Sequence, residues 1–168
     1  MKTGNNFGLL YCLMLVCQII ICSFSPLGPY VTLSLLPAMI LCMPLSINTI
    51  GCMLIAFGSG LAVDWLSEGL IGINAASLVP VALARNYILK LFFGKDLITR
   101  GDSFSIKKYG TAKVSAALMS ALTIYLAIYI MLDGAGTRET WFNFAIFGGS
   151  LIANWLLSLL VAHLLTPD

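Results

Sequence analysis

"FGSGLAVDWLSEGLIGINAASL", residues 57–78, decides how this chain folds. No charged residue occurs from Thr3 to Val63, and then Asp64 and Glu68 stand one helical turn apart. Helix-length apolar runs flank the pair, with "SEGLIG" between them as a tight turn. An acid pair in such surroundings is a proton relay, a cation site, a structural marker or the end of a membrane span.

Composition narrows the choice. Apolar residues make up 60% of the 168 and charged residues 10%, against about 25% charged in an ordinary soluble domain. Mean hydropathy is +0.98. A chain this apolar and this short is expected to be a single all-α bundle in a membrane, with no second domain. The net charge of +2 leaves no footprint for nucleic acid. The run from Phe7 to Ile21 lacks a small-x-small cleavage site and is expected to stay as the first membrane helix. Cys12, Cys17 and Cys22 are each rotated about 140° from the last on a helix. With Cys42 and Cys52 they form no C-x-x-C pair, so packing is expected and metal or redox chemistry is not.

Crossing a bilayer takes roughly 20 apolar residues. Six segments approach that length: 7–24, 30–44, 47–66, 72–93, 112–132 and 141–165. The expected fold is therefore a bundle of about six transmembrane helices. Segment 30–44 is short and carries Pro37, so it is tilted, kinked or re-entrant. The hydrophilic loop 94–111 and its flanks gather Lys90, Lys95, Arg100, Lys107, Lys108 and Lys113, six of the nine basic residues. The positive-inside rule puts that loop in the cytoplasm, and counting helices puts both termini there too.

This orientation places Asp64 at the outer end of the third helix, near the amides that open the fourth. Glu68 is expected to be solvated. Arg85 lies about 17 Å further along the membrane normal, too far for a bridge to Asp64. It is expected to snorkel to inner-leaflet headgroups as an anchor. His163 is expected at the interface. No nucleophile–base set, zinc motif or phosphate loop occurs, so neither a catalytic residue nor a cofactor is assigned. Three pairs of small residues offer close helix packing or a partner face: Ala56 and Gly60, Ala112 and Ala116, and Gly149 and Ala153. Gln18, Asn74 and Asn154 are expected either to hydrogen-bond between helices or to line a small cavity.

The run Gly60–Ala75, with Asp64, Ser67, Gly72 and Asn74, is similar to the signature of the rod shape-determining protein MreD family. The resemblance continues through "VALARNYILKLFFGKDL" into the basic loop, about 40 residues in all. It implies a non-enzymatic multi-pass subunit of the bacterial cell-elongation machinery in the plasma membrane. It also implies a bitopic MreC-like partner and indirect links to the MreB filament and wall-synthesis enzymes; apart from the resemblance, a homodimer is left open as a further form. Such proteins resemble the substrate-capture subunits of energy-coupling-factor vitamin transporters. The competing expectation is therefore a small-molecule-binding transporter subunit. From the residues themselves, Asp64 is expected to cap the turn at Ser67, Gly72 and Asn74.

Overall fold

The computed structural model describes residues 3–24, 31–68, 71–94, 110–134 and 140–165. Among them the elements are helical: α1 (Thr3–Phe24), α2 (Leu36–Leu41), α3 (Thr49–Val63), α4 (Ile73–Phe93), α5 (Thr111–Asp133) and α6 (Thr140–Leu165). A π turn over Asp64–Glu68 extends α3. Four helical stretches are long and apolar enough to cross a membrane: Thr49–Ser67, Ile73–Phe93, Thr111–Asp133 and Trp141–Leu164. The apolar part of α1, Phe7–Ser23, is shorter. Outward residues such as Leu54, Leu91, Met131, Phe144 and Leu160 are apolar and largely exposed. So continuous an apolar exterior marks a lipid-facing surface. The chain is a multi-pass α-helical membrane protein.

The order of packing follows the chain. Helix α3 lies against α4, α4 against α5, and α5 against α6. Two side-chain bonds fix neighbouring directions. Asn86 Nδ2 in the second half of α4 donates to Thr49 Oγ1 at the start of α3 (2.8 Å). Trp155 Nε1 late in α6 donates to Ser115 Oγ early in α5 (2.7 Å). Both pairs are thus antiparallel. Trp65 and Trp141 are strongly exposed at the end of α3 and the start of α6. That is the placement of interfacial aromatic anchors.

Segment 30–44 departs from the expected six-helix bundle. Its helical part is α2 alone, six residues long, with Pro37 in the first turn where the missing N–H costs nothing. Before it, Val31–Ser34 has no helical structure, and beyond it the chain turns through Cys42–Ile47. Every residue from Leu36 to Leu41 is buried. The short helix contacts all five others and fills the centre of the bundle. A membrane-length helix is not made here because Pro37 and Pro44 bracket the run. A proline disfavours helical geometry in the residue before it and lacks the N–H that would continue a helix. The other five segments each coincide with one helix to within a few residues, and four of those helices have the length and apolarity of a span.

Candidate functional site

The turn that opened the question is a closed joint between α3 and α4. Asp64 is fully buried. Its Oδ1 accepts from the backbone N–H of Asn74 (3.1 Å) and from Asn74 Nδ2 (2.8 Å). Its Oδ2 accepts from the N–H of Gly72 (2.8 Å) and of Ala75 (3.3 Å). A carboxylate offers about four lone-pair sites, and four N–H groups occupy them.

The local sequence explains why an acid is needed. The first N–H groups of any helix lack partners inside it. At the start of α4 the capping position is Gly72, which has no side chain to offer and adopts φ 108°. That left-handed conformation suits glycine. Asp64, eight residues back, supplies the missing cap and sets a negative charge at the positive end of the α4 dipole. The π turn, which begins at Asp64, carries α3 on through Trp65–Glu68. Tyr125 on α5 donates its hydroxyl to Asn74 Oδ1, tying a third helix to the joint.

Gly60 sets the spacing. It lies one turn before Asp64, and a β-carbon added there would sit 2.5 Å from Ala75 Cα and 2.6 Å from Ala75 N. Without that side chain the backbones approach closely enough for Asp64 to reach the backbone amides of Gly72, Asn74 and Ala75. Ala56 and Gly60 are thus an internal packing face, both buried.

The arrangement is that of a structural clasp. All four donors to Asp64 are amide N–H groups, none of which passes a proton on near neutral pH. Among the described residues no group of three or more His, Cys, Asp or Glu is placed to hold a metal. Ser67 does not join the carboxylate as expected: its Oγ turns back to Val63 O (2.5 Å). A hydroxyl four residues beyond a carbonyl on a helix reaches it readily, and that local bond wins.

A second polar cluster straps the unwound strand before α2. Thr32 N donates to Ser150 Oγ (3.0 Å), Ser34 N to Asn154 Oδ1 (2.6 Å) and Leu35 N to Gln18 Oε1 (2.7 Å). In return, Gln18 Nε2 donates to Leu33 O (3.1 Å) and Asn154 Nδ2 to Thr32 O (2.6 Å). Non-helical backbone at membrane depth survives only where its polar groups are satisfied. Here α1 and α6 supply amide side chains that do so. Gln18, Asn74 and Asn154 are therefore interhelical hydrogen-bonding residues. Ser150 and Thr32 were not singled out from the sequence, although Ser150, Asn154 and Ser158 recur one turn apart on a mostly apolar helix.

Arg85 is a correction. It is 2% exposed and does not reach the headgroups as an anchor. Its Nε donates to Leu41 O (3.4 Å) and its Nη2 to Met43 O, both just beyond or at the end of α2. A cation at the carbonyl end of a helix is favourably placed. The folded-back segment 31–47 covers Arg85, which the arithmetic of one straight helix does not reveal. Asp64 and Arg85 keep separate partners, as their separation predicts.

The other small-residue pairs lie differently. Gly149 is exposed, Ala153 half-buried, Ala112 exposed and Ala116 half-buried. A β-carbon at Gly149 would meet Val31 Cγ2 at 3.9 Å, an ordinary contact. The basic loop over 95–109, together with Arg138 and Glu139, lies outside the described residues, as does the side chain of Glu68. His163 is exposed near the end of α6. No protein-family profile, curated protein or solved structure matches this chain.

Proposed function

We propose that this chain is a non-enzymatic scaffold subunit of the MreD type in a bacterial plasma membrane. In that role it binds a bitopic MreC-like protein and helps organise lateral wall synthesis. The observation that carries the reading is the Asp64 joint. The residues that resemble the MreD signature meet there, and the carboxylate spends its acceptor capacity on Gly72, Asn74 and Ala75. A motif built this way shapes a helix pair and offers no open valence to a substrate.

A second reading is the capture subunit of a vitamin transporter. The unwound strand 31–35 favours it, since discontinuous segments at membrane depth build transporter sites. Against it, the strand's amides and carbonyls are taken by Gln18, Ser150 and Asn154.

The partner face we assign is the outward one on α6 that contains Gly149 and Ala153. Small residues let two helix backbones approach closely in lipid. Replacing both with Leu is expected to cut co-purification of the MreC-like partner about tenfold or more. A side chain at Gly149 also meets Val31 Cγ2 of the same chain, so lost co-purification counts for this face only with an unchanged melting temperature, measured alongside. Cells carrying the double variant should round up. Unchanged co-purification would remove this face from the assignment.

The orientation has its own test. In a background without native cysteines, Thr137→Cys should react with an impermeant thiol reagent in intact cells once any outer membrane is opened. Asp102→Cys should not react. The reverse pattern would put the basic loop outside.

A further inference from the structure

The strap between the unwound strand and α6 leaves two buried hydroxyls over. Along the strand the bonds alternate in direction. Thr32 N, Thr32 O and Ser34 N meet α6, whereas Leu33 O and Leu35 N meet Gln18 of α1. That is the pattern of an extended chain, in which side chains two apart share a face. The Thr32 hydroxyl lies towards α6, where it donates to Ser150 Oγ (3.2 Å). The Ser34 hydroxyl shares that face. Two extended residues advance about 6.6 Å, and four helical residues about 6 Å. The strand therefore keeps step with α6: Thr32 stands beside Ser150 and Ser34 beside Asn154, with Ser158 one turn further on.

These groups are sealed from lipid and water alike. Asn154 and Ser158 are fully buried, and Ser34 is 4% exposed. Yet Ser34 Oγ and Ser158 Oγ meet no hydrogen-bond partner among the described residues. A buried hydroxyl without a partner is costly, and two on one face share a single remedy. Asn154 Oδ1 stands with them. It accepts from Ser34 N (2.6 Å), and an amide oxygen has a second lone pair to give.

Charge and size select the occupant. The three groups are neutral, so an ion would lose its hydration with no opposite charge to offset the loss. A neutral molecule that both donates and accepts is required. Hydroxyl oxygens about a turn apart are spanned by one water through two bonds of about 2.8 Å. Buried waters typically make about three such bonds.

We propose that one water molecule is sealed between the unwound strand and α6, held by Ser34 Oγ, Ser158 Oγ and Asn154 Oδ1. It completes the strap and fixes the entry to α2. The assignment does not depend on the scaffold reading.

The test is a crystal structure of the full-length protein in lipid, at a resolution that shows ordered water, with thermal unfolding of three variants beside it. A single peak within about 3 Å of all three oxygens is expected, and Ser158→Ala should remove it. Ser34→Ala and Ser158→Ala should each melt lower, because each expels the water and strands the groups that remain. The double variant should melt no lower than the weaker single one, since the water is lost once. Single variants that melt unchanged or higher would overturn the proposal, because they mark two idle hydroxyls. Additive losses would also overturn it, assigning separate local bonds such as one from Ser158 to a carbonyl of its own helix. So would melting that falls when choline replaces sodium, which assigns a cation. If the variants do not fold, the peak decides alone, and its absence overturns the proposal.

Discussion

Asp64→Leu is expected to cost more stability than any other single side-chain replacement at the α3–α4 joint. The leucine leaves the N–H groups of Gly72, Asn74 and Ala75, and Asn74 Nδ2, without their acceptor. Each buried donor stripped of its partner costs about 1–3 kcal/mol, so the loss reaches several kcal/mol even if part of the turn relaxes. Asp64→Asn should fall between wild type and Asp64→Leu. Its oxygen still accepts on one side, but its amino group then faces N–H donors on the other. Thermal unfolding in detergent gives the order, and co-purification with a partner should follow it. The outcome that contradicts a capping role is complete and equal loss of function in both variants with unchanged melting. That pattern would assign Asp64 to proton or cation handling.

Gly60→Ala is the second large effect, and Gly58→Ala is its control. Two residues apart on one helix, they face opposite environments. A β-carbon at Gly58 meets nothing within 4 Å, whereas one at Gly60 meets the Ala75 backbone at 2.5 Å. Backbone cannot rotate aside as a side chain does, so α3 and α4 must separate. Overpacking of this kind costs about 1–3 kcal/mol, and separation also lengthens the Asp64 bonds. At roughly 2–4 °C per kcal/mol for a chain of this size, Gly60→Ala should melt several degrees lower. Gly58→Ala should melt unchanged or slightly higher, since alanine favours a helix interior by about 1 kcal/mol. Equal melting of the two variants would show that the close approach at Ala75 is not needed.

The contrast between these glycines shows what the sequence does and does not carry. Helix limits were legible because glycines, prolines and the acid punctuate them. Asp64 could be matched to Gly72 and Asn74 because all three lie within eleven residues. Pro37 marked segment 30–44 as irregular. Its actual path was hidden, because the groups that make it tolerable come from Gln18, Ser150 and Asn154, the last two more than a hundred residues away. Arg85 was misplaced for the same reason. A lone arginine near a helix end has one default behaviour in lipid, and only the folded-back turn at Met43 supplies carbonyls to change it. Ser67 differs for a local reason: its hydroxyl bonds the carbonyl four residues back, Val63 O, rather than the carboxylate.

The scaffold reading stands or falls on what accompanies the protein out of its own membrane. Gentle detergent extraction, affinity purification and native mass spectrometry give the answer in one spectrum. A bitopic MreC-like protein in fixed stoichiometry, with no water-soluble small molecule retained, is the predicted result. A stoichiometric vitamin-sized ligand, an ATPase module and no MreC-like partner would contradict it.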